Sequence, residues 1–319
     1  MAHTFTLAGR ALCAALLFGS AAGPAAAQSF PDGGVSVIVP FGAGGQTDIA
    51  SRLIAEAMAS ELDATVTVVN RAGAGGTVGS AEVAAAEADG YTLGVITSTP
   101  LVQAPNLREL PYSADSFDYV CRVYNNPMIF AVAADSELSS PQDLVEYAQS
   151  ERLRYGSSGP GAVQHLGMLQ FTGLAGIEGV HVANTGDAEN IRNILAGVIT
   201  GTLVPASVIR SNADSIKPIG VMDSERLDAF PDVPTFAEAG YDVLAAVWGV
   251  LAGPDGLPED ALGTLREACA AAQATEAFAA RVAELGMEPA FLDGAATEAF
   301  VGSQDEVAAS LLEELGLAE

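Results

Sequence analysis

Three near-continuous β-branched runs fall within the first hundred residues of this chain, at Val35–Val39, Thr65–Val69 and Thr92–Ile96. Apolar runs without polar alternation mark strands buried on both faces, the habit of parallel sheets. Between the first two lies a helix opening at Thr47 or Asp48, with Ile49, Leu53, Ile54, Ala57 and Met58 at helical spacing. Between the second and third lies an alanine-rich helix from about Val78 to Glu87. Crossovers between parallel strands are right-handed, so this βαβαβ unit places the turns at 40–48, 70–77 and 97–101 on one edge. Open α/β sheets bind their ligands at that edge, outside the carboxyl ends of the strands.

Two of those turns are glycine-rich, Pro40-Phe41-Gly42-Ala43-Gly44-Gly45-Gln46-Thr47-Asp48 and Asn70-Arg71-Ala72-Gly73-Ala74-Gly75-Gly76-Thr77. A strand ending in glycines lets backbone N–H groups approach a ligand, and the following helix adds its positive end. A carboxylate or phosphate can then be held with no cationic side chain. Asp48 is placed either to cap the first helix or to touch the ligand, and Arg71 either braces its turn or serves as the nearest cation.

A second unit begins near Pro127, with a strand at Met128–Ala133, a helix at Pro141–Ser150, and a strand from Leu153 into the polar turn Gly156-Ser157-Ser158-Gly159-Pro160. The helix that follows carries His165, Leu166, Met168, Leu169 and Phe171; His165 reads as a buried structural histidine or a ligand donor. Short apolar segments follow at 179–182, 203–204 and 216–222. The run Val243–Leu251 can then cross back to the first unit before three helices, at about 258–275, 276–285 and 296–315. Two α/β lobes with two crossings imply a cleft. The expected organisation is an export signal at 1–27, one lobe from 28–126 and 249–319, and a second lobe from 127–248.

Arg10, the apolar stretch Ala11–Ala22 and the small residues Ala25-Ala26-Ala27 have the pattern of a cleavable secretory signal, too short in its apolar run to span a membrane. The mature protein is therefore expected to be soluble and exported, and it is expected to be a monomer. Removing 27 residues from 319 leaves 292, with 12 of the 13 basic residues against all 40 acidic ones, a formal charge of −28. Nucleic acid and anionic membrane surfaces are poor partners for such a chain, and saline solvent would screen its self-repulsion. Its two cysteines, Cys121 and Cys269, could pair in an oxidising compartment; two buried, unpaired thiols is the favoured reading. No metal-ligand spacing occurs, and no cofactor is expected.

The segment from Val39-Pro40-Phe41 through Gly44-Gly45 to Asp48 and Arg52, the turn Asn70-Arg71 to Gly79, and Asp89-Gly90-Tyr91-Thr92-Leu93 resemble, in order and spacing, the Bug family of periplasmic solute receptors. These are the binding components of tripartite tricarboxylate transporters. The likeness continues through Tyr155-Gly156-Ser157-Ser158-Gly159, His165-Leu166, Arg226, Pro231-Asp232-Val233-Pro234-Thr235, Glu238-Ala239-Gly240 and Trp248-Gly249. It implies a two-lobed α/β type II periplasmic-binding-protein fold that closes over a small carboxylated metabolite and delivers it to integral-membrane subunits. It also implies that the first lobe grips one carboxylate at Phe41, Ala43, Gly44, Gly45, Thr47 and Asp48 and at Gly73, Ala74, Gly75 and Gly76, with Thr97, Ser98 and Thr99 beside them. The second lobe would add Ser157, Ser158, Asn184 and Thr185. Two departures, Ala183-Asn184-Thr185 in place of an aromatic and then a basic or amide residue, and Thr200 in place of Asp, fall on this second lobe, which selects the far end of the ligand.

Two other functions are open to such a chain. One is a ligand-sensing receptor feeding a membrane kinase. The other is an exported hydrolase built on Ser157 and His165, although Gly156-Ser157-Ser158-Gly159 is not a G-x-S-x-G elbow. Gly42-Ala43-Gly44-Gly45 fails the dinucleotide spacing because position 47 is Thr.

Overall fold

The computed structural model describes Met1, residues 30–314 and residues 316–317; the export signal read at 1–27 lies, Met1 apart, outside the described residues. The chain opens with β1 (Val35–Val39), α1 (Gln46–Leu62), β2 (Val66–Asn70), α2 (Thr77–Ala84) and β3 (Thr92–Thr97). β1 pairs in parallel with both β2 and β3, so the βαβαβ unit forms and its three turns share one edge. A wide helical turn at Thr99–Gln103, the short α3 (Ala104–Leu107) and β4 (Phe117–Asn125) follow.

The second lobe contains β5 (Met128–Ala133), α4 (Pro141–Ser150), β6 (Leu153–Ser157), α5 (Val163–Ala175), β7 (Gly179–Ala183), α6 (Asp187–Leu195), β8 (Gly201–Pro205), α7 (Ala206–Ser211) and β9 (Ile216–Val221). The chain then returns as β10 (Gly249–Pro254), α8 (Glu259–Gln273), α9 (Glu276–Glu284), β11 (Glu288–Leu292) and α10 (Gly294–Glu314). One sheet has the order β11-β4-β10-β3-β1-β2 and the other β7-β6-β8-β5-β9. β10 runs antiparallel to β3 and β4, and β5 antiparallel to β8 and β9, so both sheets are mixed.

Helices cover both faces of the first sheet, which is why its strands lack alternation. Val35, Val37, Leu93 and Val95 pack with Ile54 and Met58 of α1 and Leu265 of α8, while Ile38, Ile96 and Val250 pack with Val83 of α2 and Val301 of α10. Each such side chain contributes roughly 1.5–3 kcal/mol by leaving water. The buried face of α1 is Ala50, Ile54, Met58 and Leu62; Ile49, Leu53 and Ala57 lie half-buried on its flank.

Three findings correct or extend the sequence expectations. β4 and β11 were not anticipated; they extend the first sheet beyond β10. Cys121 of β4 and Cys269 of α8 form a disulfide, with Cα atoms 6.6 Å apart, in place of two unpaired thiols. α8 packs across β4 and brings the two together. The crossing segments also pair with each other: Val247 N–H donates to Asn126 O, and Met128 N–H to Ala245 O. Trp248, at the end of this pair, is 2% exposed and stands edge-on to Phe300 of α10, so it joins the hinge to the first lobe's core.

Candidate functional site

The first turn is held by a buried acid. Asp48, in the first turn of α1 and only 3% exposed, accepts hydrogen bonds from Gly44 N–H (2.9 Å), Arg52 Nε (3.1 Å), Arg52 Nη2 (2.9 Å) and Asn70 Nδ2 (2.9 Å). Asn70, the last residue of β2, also donates to Phe41 O at 3.1 Å. One carboxylate therefore ties the first glycine turn to the start of the second. Burial pushes the Asp48 carboxyl up, but Arg52, the Gly44 N–H and Asn70 outweigh it and hold it below the usual range. Its lone pairs are committed to the fold, as is the N–H of Gly44. Neither faces a ligand as a free group.

Free donors lie on either side of this knot. α1 has Gly45 as its N-cap with no side-chain cap, and the N–H groups of Gln46 and Thr47 have no acceptor among the described residues. In the second turn Ala74 (φ 46°), Gly75 (φ 71°) and Gly76 (φ 97°) are successive left-handed residues, and the N–H groups of Ala74 and Gly75 also lack acceptors there. Consecutive N–H groups in such a turn make an anion-binding concavity. α2 has Gly76 as its N-cap, with no capping side chain and no acid in its first turn.

The three loops converge. A Cβ placed on Gly76 would lie 3.0 Å from both Phe41 Cζ and Pro100 Cγ, so the two glycine turns and the loop after β3 touch one another. Thr97 and Ser98 are buried beneath them, Ser98 N–H donates to Trp248 O, and Ser98 Oγ has no partner among the described residues. Thr47 Oγ1 lies 3.2 Å from Tyr124 Oη. Arg71 is paired with Glu82 at 3.0 Å on the exposed side of its turn. The cation that reaches the second turn is Arg108, which sequence reasoning missed; its Nη2 donates to Ala74 O at 3.2 Å.

In the second lobe most of the expected donors serve the fold. Ser157 is fully buried; its Oγ accepts from Gly159 N–H at 3.0 Å and meets His181 Nε2 at 2.6 Å. The Ser157–His165 pair is therefore not formed, a correction that follows from the parallel register of β6 and β7, which sets Tyr155 opposite His181. His165 stacks on His181, ring centroids 3.8 Å apart, and its Nδ1 accepts from Gly161 N–H at 3.1 Å. Burial, with the neighbouring His181 second, pushes His165 down to about 4, and burial lowers His181 as well, so both rings are neutral at neutral pH. Asn184 donates to Asn190 Oδ1 and accepts from Asn193 Nδ2. Thr185 gives its N–H and Oγ1 to Glu189, both at 2.7 Å.

The lobes meet at several places. Gln46 Nε2 donates to Ser207 Oγ of α7 at 3.1 Å, Asn125 Nδ2 of β4 donates to Asp223 Oδ2 at 2.9 Å, and Leu107 of α3 packs on Gly161. Gln46 and Ser207 carried no signal in the sequence, because their partnership exists only once the lobes are assembled.

Comparison with known proteins places this geometry in context. The family model described as the tripartite tricarboxylate transporter family receptor matches residues 50–317. A UPF0065 protein of Bordetella pertussis is 30% identical over 98% of this chain and 98% of its own. Among solved structures, a TctC solute binding protein from Polaromonas superposes with a TM-score of 0.82 at 26% identity, covering 90% of this chain and 100% of that one. An R. palustris protein solved with adipate superposes with a TM-score of 0.73 at 27% identity, over 91% of this chain and 99% of its own.

Proposed function

This chain belongs to the tripartite tricarboxylate transporter receptor family, a family of binding proteins rather than enzymes, and from that premise we propose that it captures a small organic carboxylate in the periplasm and delivers it to integral-membrane transporter subunits. The observation that carries this reading is the set of N–H groups at Gln46, Thr47, Ala74 and Gly75 that have no acceptor among the described residues, on touching loops, beside an acid that is already neutralised by Arg52. Charge-assisted hydrogen bonds to a carboxylate contribute roughly 1.5–3 kcal/mol each, and a helix end acts within about one turn. Local donors can therefore overcome the repulsion of a strongly acidic chain, whose wider field is screened by salt. Adipate in a relative of the same fold supports the ligand class. The hydrolase alternative gains no support, since Ser157 is fully buried and its hydroxyl lies within hydrogen-bond distance of Gly159 O, out of reach of a substrate carbonyl.

A thermal-shift screen of the mature protein tests this. Adipate, succinate, malate and citrate are the positive panel; glucose and arginine are the negative one. A bound carboxylate at a hundred times its Kd should stabilise the fold by about 2.7 kcal/mol. Stabilisation by glucose with none by any carboxylate would contradict the reading.

A further inference from the structure

One side chain ties the first glycine turn to the opposite lobe. Gln46 is the first residue of α1, and its backbone N–H is one of the donors that have no acceptor among the described residues. Its carboxamide turns to the lobe boundary. Nε2 donates to Leu285 O, at the end of α9 in the first lobe, at 3.0 Å, and to Ser207 Oγ, in the first turn of α7 in the second lobe, at 3.1 Å. Leu285 O can only accept, so the carboxamide has one orientation. Oε1 then faces Asn126 Nδ2, which donates to it at 3.4 Å.

Asn126 lies on the first chain crossing, is 4% exposed, and accepts at its backbone O from Val247 N–H of the second crossing. Gln46 therefore meets the first lobe, the crossings and the second lobe through a single carboxamide. The boundary at Ser207 is close-packed: a Cβ placed on Gly286 would lie 3.3 Å from Ser207 N and Ser207 Cβ. Leu285 and Asn126 hold the carboxamide on the first-lobe side, so a separation that carries α7 away from Gly286 breaks the bond to Ser207.

We propose that Gln46 is a positioning residue that couples capture of the carboxylate to closure of the lobes: the ligand fixes its N–H in the first turn of α1, and its carboxamide fastens that turn to Ser207. This rests on the carboxylate-receptor reading above. A ligand shifts a conformational equilibrium only through contacts that differ between its states. The Gln46–Ser207 bond is such a contact, because it exists only with the lobes together and springs from a residue that holds the ligand.

The test is a double-mutant cycle read in ligand affinity. Whichever of adipate, succinate, malate and citrate stabilises wild type best is titrated calorimetrically into mature wild type, Gln46→Ala, Ser207→Ala and the double variant, with circular dichroism to confirm folding. Gln46→Ala should weaken binding about tenfold and Ser207→Ala about fivefold, the scale of a neutral hydrogen bond that forms with closure. In the Gln46→Ala background, Ser207→Ala should cost less than about twofold, since the bond is already gone. A bond that only supported the fold would be present with and without ligand, and its removal would leave affinity unchanged. Affinity unchanged in Gln46→Ala or in Ser207→Ala, or a Ser207→Ala loss of the same factor in both backgrounds, would overturn the inference while leaving the receptor reading intact. A wild type that binds no carboxylate would overturn both.

Discussion

Replacing Asp48 with alanine is expected to weaken carboxylate binding at least about 100-fold, or roughly 2.7 kcal/mol, and to destabilise the fold by about 2–3 kcal/mol. The carboxylate is the common acceptor for Gly44 N–H, both contacts from Arg52, and Asn70 Nδ2. Its loss strands two polar groups and unties the first glycine turn from the end of β2. Arg52 is half exposed and can return to water, which keeps the stability cost below that of a fully buried pair. The geometry of the donors suffers most, because Gln46 and Thr47 are aimed by the turn that Asp48 holds. The pH dependence has a defined sign. A carboxyl held below its ordinary value of 3.8 contributes its stability in full above that value and loses it as pH falls through its folded pKa. Urea unfolding should therefore separate wild type from Asp48→Ala clearly at pH 7, with the difference narrowing as pH falls below 3.8. Equal stabilities at pH 7 with unchanged affinity would refute the bracing role.

Reducing the disulfide should lower stability by about 2–5 kcal/mol, the usual range for bridges that close long loops. Cys121 and Cys269 are 148 positions apart, and the loop they close contains the entire second lobe and both chain crossings. Both cysteines lie in the first lobe's core, packed with Leu251 and Leu265. The bridge thus restrains the unfolded chain by joining the two segments that frame the second lobe. The Cys121→Ala/Cys269→Ala variant should melt about 5–15 °C lower yet bind carboxylate with wild-type affinity at 25 °C, because the site's donors lie on other strands. Coincident unfolding curves with and without reductant would contradict this, as would a loss of affinity in the folded variant.

The site half that is built from backbone was the more legible in the sequence. β1, β2 and β3 are read directly from uninterrupted β-branched runs, and the turns between them from glycines whose left-handed backbone no other residue adopts readily. β4 was harder: Asp118 and Arg122 interrupt Phe117–Asn125, whose buried residues Tyr119, Val120, Cys121, Val123 and Tyr124 fall on both faces without alternation. β11 is a half-buried edge strand containing Pro289, and its pairing with β4 is a tertiary fact. Side-chain partnerships were the least legible. Ser157 bonds to His181 because of a strand register, Cys121 meets Cys269 because α8 crosses β4, and Arg108 reaches Ala74 from a different loop. Sequence spacing carries no trace of such contacts. It did show which residue types stand near the cleft, but not which of them the fold consumes.

Whether backbone N–H groups or a cationic side chain hold the ligand's first carboxylate is decided by calorimetric titration. The carboxylate that stabilises wild type best is titrated into Gly75→Val, Arg71→Ala and Arg108→Ala, with circular dichroism to confirm folding. Gly75 has φ 71° and open space where a Cβ would stand, so valine strains the turn and fills the approach without striking the protein. With the carboxylate on backbone, binding should fall at least about 100-fold in Gly75→Val, and by less than about fivefold in either arginine variant, as expected for side chains that brace the loop from its exposed side. A loss in Arg71→Ala or Arg108→Ala exceeding that in Gly75→Val would contradict the backbone site and assign the carboxylate to a side-chain ion pair.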